Sequence, residues 1–455
     1  MRLDFSKVRL KNRAFSEKPM SFIDEAPRNF LAAIIDVVAI ETGSRAARDH
    51  WQYKQLQNLL QHAVHYSGFW RERIGTKNIK NIRLTDLPIL TRNDAVKQVE
   101  TEGSLLPKGT IGTKKHTTSG SSGTPVQFFI SEMNGQYNFA RGAAQYLMEG
   151  RDLTLNRTRF RSALHRNEVG FSVEKTDSWF GPLSSFFKNG ANKEISHLRP
   201  NRESLFKELA KDPIGYFVAQ PRLVEALFYD SDVSFLSENG TKMFIPTSEE
   251  AEKGLRGKFA AAGIPVRATY SSEEVGCIGF ECKDCLGAYH VAQSNVIVET
   301  DVSNSVAVGA NRLGRVLVTH LHSYATPFVR YDIGDVATLS QRCGCGYEGP
   351  VLSNIYGRNK RLLKHPNGSV TPFLVKSENM LKIVKFDEYR IRQTALDTIE
   401  VQIGGIDQLS ADQITSLKSL FKEHAGEEFQ IQISAVQSID WGNDIKRLGF
   451  RSEVL

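Results

Sequence analysis

The sequence predicts an α/β protein in two unequal parts. A large N-terminal α/β domain contains a β-rich subdomain, and a small α+β domain follows at the C-terminus. Three observations carry this. Segments of strand and helix character alternate from Val126 to Tyr270, as in layered α/β folds. From Leu286 onward strands follow one another with few helices between. Beyond Gly357 a unit of about a hundred residues has its own helix and strands, on the low side of domain size. At 455 residues the chain is too long for one ordinary core. We place the division at 1–356 and 357–455.

The elements follow in order. Residues 1–45 show weak organisation. Asp49 to Ile74 places Leu56, Leu59, Leu60 and Ala63 at helical spacing and predicts one amphipathic helix. Leu84 to Asp94 predicts a loop leading to a helix start, with Thr91 or Asp94 as cap. A strand then follows at Val126–Ile130, and a helix from about Asn134 to Met148. Residues 151–200 are rich in turn residues. Pro221–Tyr229 and Glu249–Ala262 predict helices, and Lys242–Pro246 and Val266–Tyr270 predict strands. His290–Thr300, Gly314–Leu321 and Val336–Leu339 are β-rich. In the last unit Asn367-Gly368 is a hairpin signal, Ala411–His424 is an amphipathic helix, and Phe429–Val436 alternates like a strand.

Composition narrows the function classes. The formal charge is +7, but no block of like charges marks a nucleic-acid tail. The most apolar stretch, Phe30–Ile40, is interrupted by Asp36 and falls well short of the ~20 residues that span a bilayer. The first nineteen residues lack an apolar h-region and do not read as a secretory signal. A cytoplasmic protein with neither nucleic-acid nor membrane partners is expected.

Four stretches carry chemistry. The first, Thr117 to Pro125 (TTSGSSGTP), joins hydroxyl side chains to two glycines. Glycine lets backbone N–H groups approach a ligand closely, and such turns form anion-binding concavities. A phosphate grip and a solvated Ser/Gly linker are both compatible with it. It is not a Walker A loop, because Thr124 and Pro125 follow Gly123 where Lys-Ser/Thr would be required. The second is Tyr270-Ser271-Ser272-Glu273-Glu274-Val275-Gly276. Its small residues admit a flat ligand and its carboxylates suit Mg²⁺, although a helix N-terminus with acidic residues reads the same way. The third is Arg330-Tyr331-Asp332-Ile333-Gly334-Asp335, where a carboxylate after a glycine turn can accept ribose hydroxyls or simply shape a turn. The fourth is Gly357-Arg358-Asn359-Lys360-Arg361.

In this order and spacing the stretches resemble the adenylate-forming superfamily of acyl- and aryl-CoA ligases. Most similar is its branch of phenylacetate-CoA ligases and CapK-like proteins. The phrase LPILTRND and the Asp49–Ile74 segment resemble that branch's N-terminal region, and Ile445 to Val454 resembles the segment bearing its catalytic lysine. The resemblance implies the following roles. Thr118, Ser119, Gly120, Ser121, Ser122, Gly123 and Thr124 grip ATP phosphates. Tyr270 and Ser271 flank adenine, with Ser248 and Glu249 on its other side. Glu274 holds magnesium, Asp335 binds ribose, and Arg358 lies near the ribose and the hinge. Lys360 is the hinge residue of a mobile C-terminal lid. Lys446 is catalytic. The sequence departs from the pattern at Ser271, Glu273 and Ile445, and Val126 stands where the superfamily often has a lysine.

Five cysteines do not make a disulfide scaffold, and four are paired in sequence. Cys282-x2-Cys285 with Cys343-x-Cys345 suits tetrahedral structural Zn²⁺. Cys282, Cys343 and Cys345 are the firmest ligands, and the fourth is Cys285 or His290. Buried free cysteines are the alternative, and Cys277 is expected to be one.

The expected function is therefore ATP-dependent activation of a small-molecule carboxylic acid to an acyl-adenylate, followed by transfer to CoA. ATP, Mg²⁺ and structural Zn²⁺ are the implied cofactors. An amine acceptor giving an amide is the main variant, a non-catalytic nucleotide-binding homologue is a further one, and a homodimer is compatible with either. The acyl pocket is expected within residues 135–250, with Tyr137, Phe139 and Phe217 as candidate lining.

Overall fold

The computed structural model describes residues 25–108, 110, 112–118, 126–162, 171–197, 202–228, 231–308, 311–356, 362–368, 370–373, 375, 377–441 and 449–454. Among them, no helix is long and apolar enough to cross a membrane.

Two large sheets build the N-terminal part. One has five strands in the order Phe171–Thr176, Asn192–His197, Arg157–Ser162, Gly215–Ala219, Thr241–Pro246. All its neighbours are parallel except the first pair. Its inner Gly215–Ala219 strand, between Arg157–Ser162 and Thr241–Pro246, is buried throughout, as parallel sheets covered on both faces require. The other has seven antiparallel strands, from Val296–Val308 at one edge to Thr269–Ser272 at the other.

The Val266–Tyr270 stretch, expected as one strand, links the two sheets. Val266 makes a single parallel bridge to Phe244, and the Thr269–Ser272 strand enters the seven-stranded sheet.

The long predicted helix over Asp49–Ile74 is two helices, Arg45–Tyr66 and Gly68–Ile74. Ser67 divides them. Its backbone is extended, and its Oγ accepts from Trp70 N at 3.0 Å as an N-cap. Glu102 completes the corner by accepting from Phe69 N at 2.9 Å. Leu59, Leu60 and Ala63 are fully buried in the core shared with Val316, Val318 and Tyr331. Cutting Leu59 to Ala there would cost about 2–5 kcal/mol.

The weakly patterned N-terminal region contains a helix, Glu25–Thr42. Its Ala33, Ile34, Val37 and Val38 pack with Ala140, Ala143, Ala144 and Leu147 of the helix Glu132–Met148. The predicted helix at Glu249 starts later, at Lys253. Ser248 stands at φ 66 and Glu252 is extended, so no helix can run through them.

Residues 388–452 form a four-stranded sheet ordered Gln430–Val436, Thr398–Gly404, Glu388–Ala395, Phe450–Ser452. Only its central pair is antiparallel. The helix Ala411–Ala425 seats Leu417 and Phe421 in a core confined to residues of the C-terminal unit, from Leu363 to Phe450. The Asn367-Gly368 signal falls between the paired Leu362–Lys364 and Val370–Pro372 strands, as a hairpin requires.

Candidate active site

The hydroxyl-rich loop hangs from a hairpin. Lys114–Thr117 pairs antiparallel with Gln127–Ile130, Thr117 opposite Gln127. Thr118 closes the ladder: its N–H donates to Val126 O and its Oγ1 accepts from Val126 N, both at 2.9 Å. Thr118 is 5% exposed. Ser119, Gly120, Ser121, Ser122, Gly123 and Thr124 lie outside the described residues.

The Tyr270–Gly276 motif is a second hairpin and not a helix N-terminus. Thr269–Ser272 pairs antiparallel with Gly276–Glu281, and Glu273, Glu274 and Val275 form the turn. Gly276 has φ +69, a conformation open to glycine. The turn separates its two carboxylates. Glu273 faces solvent, whereas Glu274 is 6% exposed. The Glu274 Oε1 atom accepts from the Tyr331 hydroxyl at 3.3 Å.

The third motif opens the Tyr331–Arg342 strand. Gly334, at φ +79, lets its N–H reach Asp332 Oδ1 at 2.9 Å, so this is an Asx turn leading into Asp335. Asp335 Oδ2 accepts from the Tyr270 hydroxyl at 2.6 Å. The aromatic residue of the second motif and the carboxylate of the third therefore share one site. Ser271 lies exposed on the same hairpin. Ser248, also exposed and left-handed, and the half-buried Glu249 follow the Thr241–Pro246 strand. A non-glycine residue held at positive φ is a strained position of the kind found at ligand sites.

One residue of the site has no motif of its own. Leu90 bridges Tyr331 in parallel: Leu90 N donates to Arg330 O and Asp332 N donates to Leu90 O, both at 3.0 Å. Thr91 then caps the helix Arg92–Glu102 in a capping box with Asp94. This delivers Arg92, the first helical residue, into the site. Its Nη2 donates to Thr118 Oγ1 at 3.1 Å, and its Nη1 lies 3.9 Å from Glu274 Oε1. LPILTRND signals the helix start, but nothing local in it signals that Arg92 reaches two distant motifs.

Behind the Glu274 turn lies a buried polar layer. Arg141, 1% exposed, donates to Asn138 Oδ1 at 2.9 Å and approaches Ser294 Oγ at 3.4 Å. Burial lowers its pKa to about 10. His322 shares Ser294 O at 3.0 Å and stacks on Tyr137 at 4.7 Å. Burial, followed by the charge of Arg141, pushes its pKa down to about 4. Of the expected pocket residues, Phe217 is fully buried in the core of the five-stranded sheet and presents no free surface, and Phe139 packs against Phe30. Tyr137 is half-buried beside His322.

A separate cluster lies across the end of the seven-stranded sheet. Cys282 follows the Gly276–Glu281 strand, and His290 sits on the neighbouring Tyr289–Val291 strand. Cys343 and Cys345 occupy the turn between Tyr331–Arg342 and Glu348–Tyr356. Ligand atoms of Cys282, His290, Cys343 and Cys345 all lie within 4.8 Å of one another. Cys285 stands outside this group of four, beside Gly344. Cys277, expected in the core, is half-buried. Arg358, Lys360 and Lys446 lie outside the described residues.

Neither a protein-family model nor a curated protein matches the sequence. Solved structures do match. A 2-hydroxyisobutyryl-CoA ligase in the postadenylation state, in complex with 2-HIB-AMP, superposes with TM-score 0.64 at 18% identity, covering 91% of this chain and 90% of that one. This chain shares the fold of that ligase. The same ligase in the thioesterification state, with 2-HIB-AMP and CoA, gives TM-score 0.55 at 18% identity over 91% of this chain and 92% of that one. Its open conformation gives 0.51 at 17% identity over 87% and 90%. In this chain both hairpins, the Tyr331–Arg342 strand and the Arg92 helix bring their marked residues into contact.

Proposed function

We propose that this protein joins a carboxylic acid to the AMP portion of ATP and then passes the acyl group to CoA. The observation that carries the proposal is the convergence of Arg92, Thr118, Tyr270, Glu274 and Asp335 from four segments of the chain. The acyl-AMP and CoA held by the fold's neighbours support the same chemistry.

In the first half-reaction a substrate carboxylate oxygen attacks the α-phosphorus and pyrophosphate leaves. The chain's tasks are positioning and charge stabilisation, with no protein nucleophile. Thr118 and the loop 119–124 would hold the β- and γ-phosphates. Arg92 supplies beside Thr118 the positive charge that Val126 does not. Tyr270 and Ser271, with Ser248 and Glu249, would border adenine, and Asp335 with Arg358 would take the ribose. Glu274 would hold Mg²⁺, which neutralises phosphate charge when bound. Lys446 would offset the charge that develops at the α-phosphate. The exposed Glu273 leaves the contacts of Glu274 intact, which favours a working site over a degenerate one.

In the second half-reaction the CoA sulfur attacks the acyl carbonyl and AMP leaves. Residues 357–455 would act as a lid, turning about Lys360 between the two steps. The Cys282–His290–Cys343–Cys345 cluster fits a structural Zn²⁺, with three sulfurs and one nitrogen as a tetrahedral set. It would staple three strand ends and leave catalysis to the ATP site.

The test is ATP–pyrophosphate exchange with a panel of carboxylic acids, repeated with Lys446→Ala. We expect at least one acid to support exchange and the variant to lose it. Absence of exchange with every acid, in protein that binds ATP, would overturn the proposal.

A further inference from the structure

Glu274 sits on a turn that ends at Gly276, which pairs with Ser272 in the hairpin ladder, and the same junction is also held from behind. Asn295 is fully buried at the start of the Val296–Val308 strand. Its Nδ2 donates to Val275 O at 2.8 Å and to Cys277 O at 2.6 Å. These carbonyls lie on either side of Gly276. One side-chain amide thus spans the glycine that joins the turn to its second strand, a residue with glycine's backbone freedom. The opposite side is closed by Asn138, whose Oδ1 stands 3.0 Å from where a Cβ on Gly276 would be. Asn138 is in turn held by Arg141, and Arg141 by Ser294, the neighbour of Asn295.

The amide is retained at a cost. Its own Oδ1 is buried and has no donor among the described residues. A buried acceptor without a partner is destabilising. Two carbonyls facing one group also require donors there, which fixes the amide orientation. The arrangement satisfies the turn in preference to the amide.

We infer that Asn295 is a positioning residue for Glu274, fixing the turn so that the carboxylate meets a magnesium ion without first being ordered. This rests on the proposed role of Glu274. Ordering a ligand in advance lowers the entropy lost on binding. The effect should therefore appear in the metal dependence of nucleotide binding.

The experiment uses the full chain and measures ATP affinity by calorimetry across a series of Mg²⁺ concentrations. Asn295→Asp keeps the shape and removes both donors. We expect it to raise the Mg²⁺ needed for half-maximal ATP binding about tenfold, the worth of two ordinary hydrogen bonds. Metal-free ATP binding should be unchanged. In a Glu274→Gln background the same substitution should add nothing. Equal weakening with and without Mg²⁺, an unaltered Mg²⁺ dependence, or an additive effect in the Glu274→Gln background would each overturn the inference. Should the Asp variant not fold, Asn295→Ser carries the same expectations. Failure of the wild type to bind Mg²⁺–ATP would instead remove the proposed function itself.

Discussion

The Tyr270 hydroxyl donates to Asp335 Oδ2 at 2.6 Å, joining a hairpin to a strand 65 positions away in sequence. A hydrogen bond to a charged acceptor contributes about 1.5–3 kcal/mol. We therefore expect Tyr270→Phe to lower Tm by a few degrees and, because the Asp335 carboxylate loses its fixed orientation, to raise the KM for ATP. Steady-state kinetics with ATP as the varied substrate checks this, and an unchanged KM would show that Asp335 is held by other means.

Arg92 gives a sharper prediction. Arg92→Ala removes the guanidinium from both Thr118 and Glu274, and kcat/KM for ATP should fall by about ten- to a hundredfold. Arg92→Lys keeps the charge without the planar fork and should recover only part of the loss. Full recovery by lysine would mean that charge alone matters there.

Stability should fall in mild acid. His322 is held neutral in the fold, its pKa pushed down to about 4 from 6.5 by burial and then by Arg141. Burial lowers His320 as well. Between pH 6.5 and 4 the unfolded chain binds more protons than the folded one, so stability rises with pH in that window. The contribution is complete above about pH 6.5 and is lost on the way to about 4. For His322 it is about 3 kcal/mol, at about 1.4 kcal/mol per pH unit. Urea unfolding over a pH series should show the decline, and His322→Gln should flatten it. A variant with the same slope as the wild type would assign the loss to other groups.

The cysteine cluster predicts one zinc per chain by elemental analysis. Cys282→Ser and Cys343→Ser should lose the metal and lower Tm, while Cys285→Ser should keep it. Retention of zinc by Cys282→Ser, or its loss from Cys285→Ser, would redraw the ligand set. A chelator should lower Tm without changing the pattern of acids accepted.

What could be read from the sequence depended on how local each signal is. The marked stretches, the capped helix at Thr91 and the cysteine spacings could be read locally, although the hairpin form of the first two stretches could not. Thr118, Glu274, Tyr270 and Asp335 do make contacts across the stretches, and Cys282, Cys343 and Cys345 do cluster. The helix Glu25–Thr42 was not legible, because its buried Ile34, Val37 and Val38 gain meaning only against the helix Glu132–Met148. The strands at 157–162 and 192–197 were hidden by charge. Lys193 is a buried strand residue whose ammonium reaches Asp212 at 2.8 Å and Glu208 at 3.3 Å. Arg92 lies within LPILTRND and Asn295 within no quoted stretch, but the partners of both are residues that only tertiary pairing brings near.

The parallel bridge between Leu90 and Tyr331 also dictates a sequence of events during synthesis. Leu87 and Leu90 are 3% and 0% exposed in the finished protein, and Leu87 O accepts from Arg330, 243 positions later. At roughly 5–20 residues per second, that partner leaves the ribosome tens of seconds after the leucines do. Until then the nascent chain lacks the strand that covers Leu87 and Leu90 from that side. Such an interval is when chaperones engage and aggregation competes. The long-range pairing that brings Arg92 to Thr118 and Glu274 therefore waits for Tyr331, in the last third of the chain, to be made.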